Sequence, residues 1–361
     1  MKIKKLKCFN FRNILDTEII ADSGMNVICG ENAQGKTNLI EAIWLFSGAK
    51  SFRNTKDSSF LNFEKQKART EIEFISGGIE NTAIMEFSDK RKAFLNEKLL
   101  NNPSKLAGNF NAIIFSPADL SLVKDGPQAR RRFLDVAIGQ LYPNYINILA
   151  DYLRAVKQRN QVIKELRFDG SIEIMLDVFE EEIADKGIKL INYRKKYIEE
   201  ISGFVSDIYN GLSSGKEKLL IKYLTSVNEE NYKEKLKNSR KEDSFSGITS
   251  IGPHRDDIIF NLNGINARNY GSQGQQRSIA ISLKLAQAQV IKNKSGEYPI
   301  CLLDDVMSEL DPSRQSYILN HIRDWQCFLS CCDPSNIANL KSGKVFEVKK
   351  GEVKENVSSF G

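Results

Sequence analysis

This chain is short of the residues that hold metal clusters, disulfides and membrane spans. Two histidines in 361 residues make a metal cluster an unpromising reading. The six cysteines (Cys8, Cys29, Cys301, Cys327, Cys331 and Cys332) are scattered, with none of the paired spacing of a zinc site. Three of them lie in apolar, strand-like runs, so reduced and mostly buried thiols are expected. No window approaches the ~20 consecutive apolar residues of a membrane-crossing helix. Met1-Lys2-Ile3-Lys4-Lys5-Leu6 is not followed by an apolar run of signal-peptide length. The expectation is a cytoplasmic protein with no membrane partner. Neither sign of charge dominates: 52 basic against 46 acidic residues give a net charge of +6. That balance is compatible with a polyanion partner and does not establish one. No internal repeat or low-complexity tract is present. The length points to roughly two domains, and 41% hydrophobic residues suffice for an ordinary core.

What is present is a complete phosphate-loop pattern, Gly30-Glu31-Asn32-Ala33-Gln34-Gly35-Lys36-Thr37. An apolar run, Met25 to Cys29, reads as the strand that enters it. Lys36 to Phe46 reads as the helix that leaves it, with Leu39, Ile40, Ile43 and Trp44 on one face. The chemistry needs this order. Glycines let the backbone wrap phosphate oxygens, and successive N–H groups at a helix start attract negative charge. Lys36 would reach the β- and γ-phosphates, and the Thr37 hydroxyl would ligate Mg²⁺.

The first ~115 residues read as rich in strand: Lys2–Asn10, Thr17–Ala21, a hairpin of Thr70–Ser76 and Asn81–Ser88 around Gly77-Gly78, and Asn111–Phe115. Ser116-Pro117 then reads as a helix start. From Pro127 to about Gly215 the texture turns helical and charged, an insertion of several long antiparallel helices. Lys218–Thr225 returns to strand, and 226–246 reads as a helix plus a mobile loop. Asp257–Leu262 and Ala267–Tyr270 read as a hairpin around Asn263-Gly264. Gln273–Lys292 reads as a helix and Tyr298–Leu303 as a buried strand. The domain reading is an N-terminal part of an ATPase lobe over 1–115, a helical lobe over 116–289, and the C-terminal part of the ATPase lobe over 290–361.

Two further motifs suit a phosphate site. Ile300 to Leu303 is an apolar run that ends in Asp304-Asp305, which places two carboxylates at the C-terminal edge of a parallel sheet. Asp304 is placed to hold Mg²⁺. Asp305, the next residue of an extended chain, points to the opposite face and is placed to orient the attacking water. Gly271-Ser272-Gln273-Gly274-Gln275-Gln276 opens a helix with a hydroxyl and unpaired N–H groups, an anion nest. Capping alone would need only Ser272. One phosphate loop and one separate nest make two half-sites, which two copies packed head to tail would complete.

These three motifs together resemble the ABC-type ATPase heads, and in particular their SMC-like branch. Finer matches run in order through the chain: Asn10-Phe11-Arg12-Asn13, Phe115 to Leu120, Gly126-Pro127 with Arg130 to Asp135, Gln158-Arg159-Asn160, Gly252 to Asp257, Gly271 to Arg277, and Asp304 to Asp311. They point to the bacterial recombination and gap-repair members of that branch. The resemblance implies an α/β, two-lobed P-loop ATPase head with a helical insertion lobe and no long coiled coil. It implies ATP and Mg²⁺ as cofactors, and an ATP-dependent homodimer that binds double-stranded, gapped or junction DNA without sequence preference. It also implies action with RecO and RecR to load RecA, service to the SOS response, and weak DNA-stimulated hydrolysis that acts as a timer. Carried onto this chain, Gly30 to Thr37 hold the nucleotide. Ser272, Gly274 and Gln275 contact the γ-phosphate held by the partner copy. Thr37 and Asp304 serve the metal, with Lys36, Asp304 and Asp305 catalytic, and Ser308 to Asp311 cross the dimer interface. The other reading is an ABC-type NTPase subunit with no DNA role, and the length of the helical insert argues against it. The chain departs from the wider pattern in three places. Ser116-Pro117 stands where many relatives carry Gln. Ser330-Cys331-Cys332-Asp333 stands where many carry His. Asp305 replaces the commoner Glu. All three fit weak hydrolysis.

The basic residues admit two readings each. Arg130-Arg131-Arg132 spread over about 300° of a helix, either towards DNA or nucleotide, or towards acids such as Asp125 and Asp135. Arg154, Lys157, Arg159, Lys164 and Arg167 form a basic helix side, for phosphates or for solvent. Lys50, Arg53, Lys56, Lys65, Lys67 and Arg69 form a cluster without an aromatic ladder, which suits duplex backbone contact. His254 and Arg255 lie either in a structural turn or near the nucleotide.

Overall fold

The computed structural model describes residues 1–53, 55–62, 65–165, 173–332 and 343–356. Two compact units divide the chain: Met1–Asp119 with Ala280–Gly361, and Leu120–Ile279.

The first unit carries two six-stranded sheets. In the antiparallel sheet the order is Ile14–Ile20, Lys2–Phe11, Ala68–Ser76, Ile79–Phe87, Lys92–Leu95 and Lys98–Leu99. Ala68, Thr70, Ile72 and Phe74 turn inward along one strand, the period of two that a one-sided sheet requires. The Gly77-Gly78 hairpin joins Ala68–Ser76 to Ile79–Phe87, as the sequence indicates. The second sheet has the order Glu352–Glu355, Lys344–Lys349, Met25–Cys29, Cys327–Cys331, Ile300–Asp304 and Ala112–Phe115, parallel except for its first strand. Every residue of Ile300–Asp304 and Ala112–Phe115 is buried, which is why those runs are continuously apolar rather than alternating. Parallel register pairs Asp304 with Ser330 and Cys331 with Cys29. The carboxyl ends of three strands therefore meet where the phosphate loop begins. The helix Lys36–Leu45 follows the loop and buries Leu39, Ile40, Ile43 and Trp44. Four cysteines (Cys8, Cys29, Cys301 and Cys327) are buried, Cys331 is half-buried and Cys332 is exposed.

The second unit is built on the helices Pro127–Leu141, Pro143–Glu165 and Glu173–Leu212. At 1.5 Å per residue the last of these is about 60 Å long. A three-stranded antiparallel sheet (Ile265–Asn266, Asp257–Leu262, Leu219–Leu224) accompanies them. Two readings change here. The hairpin's second arm is only Ile265–Asn266, and Ala267–Tyr270 is a helical turn because the Asn266 side chain caps it by accepting from the Arg268 N–H. Residues 226–246 are ordered as a 3₁₀ turn and two short helices, Tyr232–Asn238 and Arg240–Ser246. The buried Arg159 fixes them. Its guanidinium pairs with Glu180 (3.0 Å) and Asp243 (2.6 Å) and donates to Thr249 Oγ1 and the Leu236 carbonyl.

Candidate nucleotide site

The phosphate loop is shaped from both sides. Gly30 (φ 149°) and Gly35 (φ 124°) take backbone angles that side chains resist, and Ala33 (φ 64°) takes a left-handed one between them. A methyl group on Gly30 would come within 2.4 Å of the Val348 carbonyl oxygen, and one on Gly35 within 2.8 Å of Asn13 Oδ1. Asn13 donates from Nδ2 to the Gln34 carbonyl (2.9 Å) and accepts from Asn38 (2.7 Å). The tip of the hairpin Lys344–Lys349/Glu352–Glu355 closes the other side. Lys350 N–H donates to Gln34 Oε1 (2.5 Å) and Gly351 N–H to the Gln34 carbonyl (3.1 Å). Glu31, Asn32 and Ala33 are left exposed on the loop's crest.

Lys36 and Thr37 open the helix behind this crest. Lys36 as a residue is only 4% exposed. It donates to the Gly30 and Glu31 carbonyls (2.8 and 3.0 Å) and approaches Cys332 Sγ at 3.6 Å. Its hydrogen-bond partners are neutral, and among the described residues no carboxylate lies within ion-pair distance of it. An anionic phosphate fits that arrangement. On the same helix Glu41 is fully buried and pairs bidentately with Arg12, which also donates to Thr55 Oγ1 (2.7 Å) and lies over the Phe60 ring. Arg53 reaches Asn38 Oδ1 at 2.7 Å.

Asp304 ends its strand against Thr37. The Thr37 hydroxyl lies near enough to draw the Asp304 carboxyl pKa down, and Ser330 Oγ donates to Asp304 Oδ1 at 2.9 Å. Burial pushes the Asp304 carboxyl above its ordinary range, and the charge of Asp305 adds to that. Thr37, the bond from Ser330 and the charge of Arg53 act the other way. A hydroxyl and a buried carboxylate near each other form a hard oxygen pair suited to Mg²⁺. A cation there would offset the desolvation that raises the acid. Asp305 does not lie on the far face of an extended strand, as the sequence leads one to expect. The strand stops at Asp304, Asp305 turns left-handed (φ 49°), and its Oδ1 comes within 3.5 Å of the same Ser330 hydroxyl. Sequence reasoning did not find Ser330 as a site residue. The signal was one hydroxyl in the otherwise apolar run Cys327–Cys331. The hairpin tip at Lys350-Gly351 carried no signal, because its approach to Gln34 is purely tertiary.

In the second unit, Ser272, Gly274 and Gln275 stand at the start of the helix Gln273–Ser295. Ser272 N–H donates to Gln275 Oε1 (2.7 Å) and Gln275 N–H to Ser272 Oγ (3.3 Å), a reciprocal capping box. Gln275 Nε2 donates on to Glu217 (2.5 Å), whose other oxygen accepts from Tyr209 (2.7 Å). Gln276 holds the carbonyls of Ala267 and Arg268. The glutamines that set this tip apart from a bare serine cap therefore also have structural work. Ser272 itself is exposed.

Several basic residues are internal. Arg130 is buried and pairs bidentately with Asp257 (2.5 and 3.0 Å), while Arg131 donates to the Asp256 carbonyl (2.8 Å). Arg159 is buried, so the basic helix side reduces to Arg154, Lys157 and Lys164, all exposed. Arg167 lies outside the described residues, as does Asp333. His254 sits in a structural turn: Nε2 donates to the Thr249 carbonyl (3.0 Å), and Nδ1 accepts from Tyr152 (2.6 Å). Lys50, Arg53, Lys56, Lys65, Lys67 and Arg69 are all exposed, although Arg69 is engaged with Glu71 and Glu86.

The model of the RecF/RecN/SMC N-terminal domain matches residues 2–352. The DNA replication and repair protein RecF of Listeria monocytogenes is 39% identical over 99% of this chain and 100% of its own length. That of Clostridium tetani is 38% identical over the same shares. A solved structure of the recombination mediator protein RecF with ATP, of the RecFOR pathway, superposes with a TM-score of 0.92 at 33% identity, covering 99% of this chain and 98% of its own. The Smc head domain of Pyrococcus furiosus, at 17% identity over 98% and 96% of the two chains, shares the fold with a TM-score of 0.56. Matched along nearly its whole length by that family model and by relatives of 38–39% identity, this polypeptide belongs to the RecF family of SMC-like heads.

Proposed function

We propose that this protein is an ATP-gated DNA-binding switch of recombinational gap repair in the cytoplasm. ATP is held at Gly30–Thr37, with Lys36 on the β- and γ-phosphates. Thr37 and Asp304 hold Mg²⁺, which when bound supplies charge neutralisation at the phosphates. Ser272, with Gly274 and Gln275, caps the γ-phosphate in a second copy's loop, so ATP stabilises a dimer by mass action. The dimer presents the exposed lysines around Lys50–Lys67 to double-stranded, gapped or junction DNA through phosphate contacts. It works with RecO and RecR in loading RecA and so in the SOS response. Asp305 orients the attacking water, and slow hydrolysis resets the switch.

One observation supports the reading: the buried Lys36, without an ion-pair partner among the described residues, lies at the parallel-sheet edge beside Thr37 and Asp304. Sedimentation with and without ATP, Mg²⁺ and gapped duplex DNA tests it. The wild-type chain is expected to dimerise only with ATP and Mg²⁺, and that dimer to co-sediment with DNA. Lys36→Ala is expected to lose nucleotide binding. Ser272→Arg is expected to bind ATP as a monomer. An ATP-dependent dimer that ignores DNA would favour an NTPase subunit with no DNA role.

A further inference from the structure

The strand Cys327–Cys331 carries one hydroxyl, and that group touches both acids of the neighbouring strand. Ser330 is 1% exposed and pairs in register with Asp304. Its oxygen accepts the Asp305 backbone N–H at 2.9 Å, and its proton goes to Asp304 Oδ1, also at 2.9 Å. A hydroxyl has one proton to give. The 3.5 Å approach to Asp305 Oδ1 is therefore a contact without a second donated bond. Two consequences follow. Donation to one carboxylate oxygen fixes the rotation of the Asp304 carboxyl. Acceptance of the Asp305 N–H holds that residue in its left-handed turn (φ 49°), which brings its carboxyl back towards Asp304 instead of across the sheet. Neither Cys331 nor Phe328 could supply both bonds.

We infer that Ser330 is a positioning residue of the nucleotide site, setting the geometry of Asp304 for Mg²⁺ and of Asp305 for water. The inference rests on the roles proposed above for those two acids. Three variants of the full-length protein test it: Ser330→Ala, Ser330→Thr and Ser330→Val. Threonine keeps the hydroxyl, and valine has the same shape without it. Two readouts are needed: the Mg²⁺ concentration that half-saturates binding of a fluorescent ATP analogue, and kcat against KM for ATP. Alanine and valine are expected to raise the Mg²⁺ requirement and lower kcat by about tenfold, the effect of one buried bond to a charged group. KM and nucleotide binding in EDTA should stay near wild type. Threonine is expected to stay within about threefold of wild type on both readouts. Valine matching threonine, or alanine matching wild type, would overturn the inference. A wild-type chain that binds the analogue equally well without Mg²⁺ would instead remove the metal assignment of Asp304, and this inference with it.

Discussion

Asp305 leaves the strand in a conformation that few aspartates adopt, and its side chain owes its direction to that one angle. Asp305→Asn keeps the shape and removes the charge. ATP turnover should fall by about 10²-fold or more, the scale of a lost general base. The ATP-dependent dimer should persist correspondingly longer, as a single-turnover assay followed by sedimentation would show. Unchanged turnover would move the water-orienting role elsewhere. His254 gives a residue-scale effect on stability. Burial lowers its pKa from an ordinary 6.5 to about 4; the bond to the Thr249 carbonyl pulls it upward, and the charges of Arg255, Arg131 and Arg194 add to the lowering. The unfolded chain therefore binds the proton more readily. The neutral ring's contribution is complete above about pH 6.5 and is lost as pH falls towards 4. Between pH 7 and pH 5 the second unit should lose about 2 kcal/mol from this group. Denaturant titrations at the two pH values should show the loss in the wild type and its absence in His254→Asn.

The elements of the second unit are held by ion pairs placed inside it. Arg159 ties Pro143–Glu165 to Glu173–Leu212 through Glu180, and to Arg240–Ser246 through Asp243. Removing Arg159 leaves the buried Asp243 without its cation and Glu180 with Arg240 alone, so Arg159→Ala should destabilise this unit by about 3 kcal/mol. Chemical unfolding of the full chain would measure that, and an effect under 1 kcal/mol would mean that the network relaxes. The start of Gln273–Ser295 is held differently, by its own capping box and by Glu217. Glu217→Ala should leave ATP binding intact and weaken ATP-dependent dimerisation, whereas Glu217→Gln keeps an acceptor for Gln275 and should restore it. Equal dimerisation constants for wild type and Glu217→Ala, measured by sedimentation, would show that the cap alone fixes the tip.

At the scale of the molecule, the modest excess of 52 basic over 46 acidic residues matters less than its placement. Arg130, Arg159 and Arg194 of the second unit are consumed internally, whereas Lys50, Lys56, Lys65 and Lys67 of the phosphate-loop unit are exposed. Contacts by four such lysines would make DNA affinity fall about a hundredfold between 50 and 200 mM salt, with little dependence on base sequence. Fluorescence anisotropy on duplexes of unrelated sequence would check both statements. A flat salt response would exclude backbone binding by this cluster.

The amino-acid sequence by itself determined what depends on neighbours along the chain. The phosphate loop, its flanking strand and helix, the acid-tipped strand and the serine at a helix start are local patterns, and their residue order is their signal. Register, reach and burial were decided by the fold. Asp305 folds back rather than across because a serine twenty-five residues away in sequence accepts its N–H. Gln34 is clamped by a hairpin tip that lies more than three hundred residues further along the chain. Arg130 and Arg159 look like solvent-facing cations until the acids that neutralise them, Asp257, Glu180 and Asp243, arrive from distant segments. A side chain's charge can be read in one dimension, but what balances that charge is settled only when the chain closes on itself.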